Sequence, residues 1–440
     1  MKVSKFFKSL KKNMTEAAFH IKDFVRDPQK DFSRTQKISA MDIIGLVMNL
    51  GSKSSTIGTA EFFAGQQANG SRAAGNPIPS DAAVLRRREQ VKPEAFESIY
   101  HSFTSGLPAE KCLLTGLYTY AVDGSSVRFR TDDSHKETYH AKCNQDEDTG
   151  YNDFHLHCIM DEVTGVAAMA MIEGGAEYNE KLAFHSMLDS MERRDGKAKM
   201  RESLFIADRG YESFADIIDC QKHGSFFLFK GKATNGIMGR VDSEMDTRVH
   251  YHLYYSRSKK AMEDPLYHRL DRQSYEFPMN ADGYCDVEFR AVSFRSGGKW
   301  TVLLTNLPKE RCPPDVLKAV YKMRWDIETG FRKMKYPCDL LGFHSGKPEL
   351  VLQEIWATLA KFNLSAITAF LASEGLPGNK KINFAKVTAL VNEYWKGRLP
   401  VKVFWDSVLN AVYYKRKKEQ RSYKRTKRRK SYECFNYRAS

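Results

Sequence analysis

The chain has 440 residues, 42% of them apolar and 28% charged, enough for about three domains of roughly 150 residues and for a sizeable buried core. No run approaches the ~18–20 consecutive apolar residues of a membrane span, and the N-terminus alternates lysines with aromatics where a secretory signal needs an unbroken apolar stretch, so the expectation is no membrane and no secretion. Eight cysteines scattered without any C-x-x-C pair argue for reduced thiols in a cytoplasmic chain, and the net charge of +15 calls for a polyanionic partner.

Residues 1–110 read as a helical domain. Ile43, Ile44, Val47 and Leu50 recur at helical spacing, Gly51-Ser-Lys-Ser54 interrupts them, and Ile57 to Phe63 resumes before a Gly/Asn/Pro-rich link over 65–79. A helix after Ser80 carries Arg86, Arg87 and Arg88, and Phe96, Ile99, Tyr100 and Phe103 line one face of the next. An arginine-rich helix fits either DNA binding or packing on the rest of the chain.

From residue 111 the pattern changes to short apolar runs typical of strands. Leu117–Val122 ends at Asp123; Val127–Arg130, Phe154–Met160 and Val166–Ile172 follow. A helix over 178–193, with Leu182, His185, Leu188 and Met191 on one face, leads to Leu204–Ala207 and Asp208, then a helix near 213–223 and a strand at 226–229. Both aspartates are thus expected at strand C-terminal ends. Alternating aromatic-rich runs over 233–298 predict an inserted β-rich subdomain dividing an α/β core of 111–232 and 299–375. Trp300–Thr305 resumes the core, followed by one long helix over 313–335 and another over 349–373. Residues 376–440 hold two shorter helices and a tail in which positions 411–440 carry twelve Lys or Arg against two Glu. Tyr413, Tyr414, Tyr423 and Tyr432 interleave with those cations, a pattern suited to stacking on bases.

Asp123, Asp208 and a glutamate on a later helix, Glu328, are the right chemistry for a pair of Mg²⁺ ions about 3.5–4 Å apart, with Mn²⁺ as a substitute, that activate a water or 3′-hydroxyl on a phosphodiester. Tyr321, Arg324, Glu328 and Lys335 fall within roughly 60° of one another on a helix. The plain alternative is an amphipathic helix with an Arg324–Glu328 ion pair.

The run Tyr321-x2-Arg324-x3-Glu328-x6-Lys335 resembles the signature of insertion-sequence-4-like DDE transposases. Val122-Asp-Gly-Ser125, Ala207-Asp-Arg-Gly-Tyr211, Thr305-Asn-Leu307, the Tyr-Asn-x-Phe-His-Leu-His run from Tyr151 and Phe435-Asn-Tyr-Arg438 resemble its neighbouring motifs. The resemblance implies a ribonuclease H-like catalytic domain interrupted by a β-strand insertion. It also implies metal-dependent cutting of double-stranded DNA at transposon ends, strand transfer into target DNA, and a homodimer in the DNA complex. Asp123, Asp208 and Glu328 would be the metal ligands, and Tyr321, Arg324 and Lys335 would hold terminal phosphates. Trp300 would stack on a flipped base and permit a DNA-hairpin intermediate; otherwise it opens a core strand. Arg209 and Lys347 are further candidate phosphate contacts, as are Arg86, Arg87 and Arg88 in an N-terminal DNA-end-binding domain. His155, His157 and Cys158 do not make a zinc site, because a strand points the histidines one way and the cysteine the other. The expected protein is a bacterial, nucleoid-associated transposase in the cytoplasm. The alternatives are a metal-dependent nuclease without strand transfer and a catalytically silent DNA-binding protein.

Overall fold

The computed structural model describes residues 3–34, 37–73, 75–141, 150–270, 275–414 and 436–437. Apart from Asn436–Tyr437, the basic tail beyond residue 414, with Tyr423, Tyr432, Phe435 and Arg438, lies outside the described residues. The chain opens with α1 (Ser4–Phe19), α2 (Ala40–Asn49), α3 (Ser55–Ala68), α4 (Asp81–Arg88) and α5 (Glu94–Ser105). Then come β1 (Tyr118–Phe129), β2 (Tyr139–His140), β3 (Tyr151–Asp161), β4 (Ala167–Gly174), α6 (Glu180–Asp195), α7 (Lys197–Met200), β5 (Ser203–Ala207), α8 (Phe214–Lys222) and β6 (Phe226–Gly231). The region read as an insertion holds β7 (Met245–Tyr254), α9 (Lys259–Met262), β8 (Tyr267–Arg269) and β9 (Cys285–Ser296). β10 (Lys299–Thr305), α10 (Pro314–Met323), α11 (Trp325–Lys335), β11 (Gly342–Phe343) and α12 (Pro348–Ser373) follow, and β12 (Lys380–Ile382), α13 (Phe384–Trp395), α14 (Val401–Leu409), β13 (Val412–Tyr414) and β14 (Asn436–Tyr437) close the described chain.

One sheet organises the molecule, in the order β2-β3-β1-β5-β6-β10-β9-β7-β8, with β4 also paired to β3. β3 runs antiparallel to β1 and β4, whereas β1, β5 and β6 are mutually parallel. The strands of 233–298 continue this same sheet through β10. They do not form a separate one.

Strand alternation assigns the two faces. Ala121, Val127 and Phe129 of β1 pack in one core with α5, α11 and α12, while Tyr120 and Val122 pack in another with α6 and α8. Helix α12 has the length and apolarity of a membrane span, yet most of it is buried, and α2, α5 and α13 pack against it. It is a central strut of the first core, and the N-terminal helices share that core with it.

Four sequence expectations change. Leu117–Val122 and Val127–Arg130 are one strand, because Gly124 and Ser126 stay paired with His157 and His155 of β3. Asp123 therefore sits mid-strand and not at a strand end. The predicted 313–335 helix is two helices meeting at Arg324, whose N–H closes onto the Tyr321 carbonyl at 3.2 Å in a tightened turn. On α6 the buried face is Ala183, Phe184, Met187, Leu188 and Met191, and Leu182 is exposed. Phe184 anchors that face, seated against Phe205, Tyr211 and Phe229.

Candidate active site

Asp123 and Asp208 lie on neighbouring parallel strands. Ala121 pairs with Ile206 at the end of the β1–β5 ladder, so both aspartates come two residues beyond the last pair, side by side. The Gly124 N–H donates to Asp123 Oδ1 at 2.9 Å. Asp208 caps the short 3-10 turn Arg209–Tyr211 by accepting from the Gly210 N–H at 2.7 Å. By the β1 alternation Asp123 shares the face of Ala121, which is the face against which α11 packs. Gly330 permits that approach, since a Cβ there would collide with the Met160 side chain of β3.

Arg324 joins the third acid to the first. Its buried guanidinium donates to Glu328 Oε1 at 3.0 Å and lies 3.9 Å from Asp123 Oδ2. The helical ion pair anticipated as the plain alternative is present, but it also faces Asp123. Burial pushes the Asp123 carboxyl up to about 6, and Asp208 and Glu180 add to the rise against the Gly124 N–H and Arg324. A carboxylate so crowded by acids is one that a cation stabilises. Hard oxygen donors are also the set that Mg²⁺ and Mn²⁺ prefer, so the residues present fit such ions. Tyr321 on α10 and Lys335 at the C-terminal end of α11 are both buried, and burial pushes the Tyr321 hydroxyl up to about 12.

Residues 115–364 match the family model for the transposase DDE domain. The chain belongs to the DDE transposase family. Within it, 96 residues are 34% identical to the transposase InsG for insertion sequence element IS4 of Escherichia coli K12, over 21% of this chain and 22% of that protein. The chain thus spans about a fifth of the length of that curated relative. A cryo-EM structure of the piggyBac transposase synaptic complex with hairpin DNA aligns with a TM-score of 0.46 at 10% identity, covering 93% of this chain and 85% of that one.

Other residues singled out in this family member fall in different places. Arg209 is exposed beside Asp208. Trp300 is half-buried on β10, with Arg295 of β9 over its ring at 5.8 Å, and it belongs to none of the hydrophobic cores among the described residues. Trp300 thus stands at the start of β10, an interior strand of the sheet, with its ring near the β9–β10 turn. Lys347 is exposed but ion-paired to Glu89. Arg86 is exposed.

Arg87 and Arg88 overturn the expectation of a basic DNA-facing helix. Arg87 is buried over the Phe32 ring and donates to the Ile38 carbonyl and Gln90. Arg88 is buried against α12, bonded to Glu354 at 2.8 Å, to Gln353 and to the Leu350 carbonyl. The run Arg-Arg-Arg cannot place all three side chains on one helix face, and two of them turn inward to satisfy polar groups of the core.

Several groups at the site carried no signal of their own in the sequence. Lys230 on β6 is coupled electrostatically to Arg209, Arg324 and Asp208, and burial and those two cations lower its ammonium. Glu180 begins α6 with Oε1 3.3 Å from His155 Nε2, and His157 Nε2 lies 2.8 Å from Glu173. The two histidines share a face and Cys158 is buried on the other side, in keeping with the rejection of zinc there. The α6 N-terminus reaches the β1–β5 junction only through the fold, which no local spacing encodes.

Glu162, just after β3, has both carboxylate oxygens buried without a hydrogen-bond partner among the described residues. Burial, then Asp326 and Asp161, push its carboxyl up to about 9. A carboxyl raised on folding contributes stability that is present below its unfolded value and is lost as pH rises through the folded one. We expect the metal-free protein to lose stability from about pH 5 to 9, and Glu162→Gln to flatten that loss and to raise stability at pH 9 by about 2–4 kcal/mol. Parallel melting curves of both proteins from pH 5 to 9 check this. Identical slopes would refute it.

Proposed function

We propose that the chain is a DNA transposase with a ribonuclease H-like core that binds the terminal inverted repeats of its own insertion sequence. It cuts phosphodiesters there with two Mg²⁺ ions, Mn²⁺ substituting, and transfers the 3′-hydroxyl ends to target DNA as a homodimer. The carrying observation is the meeting of Asp123 and Glu328 across Arg324, with Asp208 on the adjacent strand. Three antiparallel strands, β4-β3-β1, followed by the parallel β5 and β6 support the ribonuclease H-like reading.

Asp123, Asp208 and Glu328 would hold the ions, which when bound supply an activated water or 3′-hydroxyl and stabilise the leaving oxygen. The protein's own contribution is positional. Arg324, anchored by Glu328, fixes one cation beside the reacting phosphate, with Tyr321 and Lys335 of the same helix pair and Arg209 and Lys230 of the neighbouring strand ends. Residues 1–110, with Arg86 exposed, would serve end binding, 111–232 and 299–375 the chemistry, and 376–440 with its basic tail would add phosphate contacts. The site of action would be the nucleoid in a bacterial cytoplasm.

The test is strand joining. An end duplex with a free 3′-hydroxyl, incubated with the protein and a supercoiled target in Mg²⁺, should yield joined products that EDTA abolishes. Cleavage without joining would favour the nuclease reading, and end binding alone a silent DNA-binding protein.

Trp300 bears on a hairpin intermediate. Its half-buried ring near the β9–β10 turn is available for stacking on an extruded base, worth roughly 1–3 kcal/mol. Trp300→Ala should leave first-strand nicking and thermal stability near normal while nicked DNA accumulates. A time course on a labelled end duplex beside a melting curve measures both. A drop of every step together with the melting point would reject stacking.

A further inference from the structure

Glu180 comes from the opposite layer of the molecule to Glu328. Gly124 and Val122 of β1 face α6, whereas Asp123 faces α11. A Cβ on Gly124 would collide with His155 Nε2 and would stand 3.1 Å from Glu180 Oε1. A Cβ on Gly210 would stand 3.1 Å from Asp208 Oδ1 and 3.7 Å from Glu180 Oε2. The two glycines of the Asp-Gly and Asp-Arg-Gly motifs thus leave room for the Glu180 carboxylate, one oxygen toward Gly124 of β1 and the other toward Gly210 in the turn that Asp208 caps.

That carboxylate is held in place. Glu180 is the first residue of α6, which Asn179 caps by accepting from the Lys181 and Leu182 N–H groups. His155, buried and stacked at 3.7 Å on Tyr178, backs one oxygen. Its Nε2 lies within ion-pair distance of Glu180 but makes no hydrogen bond of good geometry among the described residues. Tyr211 gives an independent indication of a ligand. Its hydroxyl is buried without a hydrogen-bond partner among the described residues, near Glu180, Asp123, Asp216 and Asp208, whose charges act on it. A buried donor of this kind is costly unless an oxygen accepts from it, and a ligand oxygen bound between these acids meets that need.

Charge points the same way. Arg324 offsets one of the three negative charges of Asp123, Asp208 and Glu328, so two dications would meet only two uncompensated carboxylates. We propose that Glu180 is a fourth carboxylate of the catalytic centre, a metal ligand beside Asp208 that enters from the α6 side, with His155 as its positioning residue; the proposal rests on the transposase reading above.

Mn²⁺ titrated into the full chain, followed by calorimetry and by the metal-dependent rise in melting temperature, separates the possibilities. Glu180→Gln should weaken Mn²⁺ binding about tenfold or more, keep end-duplex binding in EDTA, and raise the Mg²⁺ concentration needed for cleavage. Glu180→Asp, which keeps the charge on a shorter stem, should fall between the two and serves if the Gln variant melts below the assay temperature. Asp208→Asn is the reference. Weakened Mn²⁺ binding by Asp208→Asn with wild-type binding by both Glu180 variants would overturn the Glu180 assignment alone. Wild-type binding by Asp208→Asn as well would overturn the metal-binding reading of the site, and this proposal with it.

Discussion

Asp123→Asn, Asp208→Asn and Glu328→Gln should each reduce nicking of a transposon-end duplex by roughly three orders of magnitude or more, while end binding in a gel-shift assay stays within a few-fold of the native protein. The separation follows from the geometry. Asp123 and Glu328 meet across Arg324, with Asp208 on the adjacent strand, and on the proposed reading removing a carboxylate would remove a cation ligand without removing Tyr321, Lys335, Arg209 or Lys230 from the phosphate side. The substitutions also differ in what they leave behind. Glu328→Gln frees the Arg324 guanidinium from its 3.0 Å partner, so this variant should bind the end duplex as tightly as the native protein or slightly tighter. Asp123→Asn removes a carboxyl that burial already holds near 6 and should raise the melting temperature of the metal-free protein at pH 8. Normal nicking in Mg²⁺ by any of the three would remove that residue from the catalytic set.

Arg88→Ala should cost about 3–5 kcal/mol of stability, the range for leaving a buried acid unpaired. Arg88 and Glu354 are both almost wholly buried, 4% and 5% exposed, and the arginine also satisfies Gln353 and the Leu350 carbonyl. Glu354 retains His344, whose N–H and Nδ1 approach its Oε2 at 3.1 and 2.9 Å, which keeps the loss toward the lower part of that range. Arg88→Lys should not rescue it, since an ammonium cannot reproduce the planar fork that meets three acceptors. Arg86→Ala, one residue away on the exposed side, should leave the denaturation midpoint unchanged. Urea unfolding of the three variants measures the contrast. Equal midpoints for Arg86→Ala and Arg88→Ala would mean that the α4–α12 contact contributes nothing to the fold.

The acids were legible in the sequence because strands and helices write their periods locally. Asp123 and Asp208 follow apolar runs, and Glu328 falls at helical spacing from Tyr321, Arg324 and Lys335. What the sequence does not encode locally is which face a residue meets across the sheet. Glu180 looks like any helix-opening acid, and its place beside Asp208 depends on Gly124 in a strand that precedes it and Gly210 in the turn after β5. Arg87 and Arg88 misled for the opposite reason. Adjacent cations resemble a binding surface, but only tertiary packing shows that Glu354 and the Ile38 carbonyl claim them. The continuity of β7–β9 with the core sheet was likewise hidden, because alternation predicts strands without naming their neighbours.

That continuity limits how the molecule can be rebuilt. β10 is an interior strand, paired along seven residues with β9 from Lys299–Ser296 to Thr305–Arg290 and along four with β6. Arg290 of β9 is also bonded to Asp246 and to the carbonyls of Leu307 and Cys312, just ahead of α10. Cutting out residues 233–298 and closing the gap would strip β10 of its whole ladder with β9 and open a long unpaired edge, the geometry that invites edge-to-edge aggregation. A chimera that exchanges this region with another protein's must therefore bring its own replacement for β9, in register with Trp300, and an arginine equivalent in reach to Arg290.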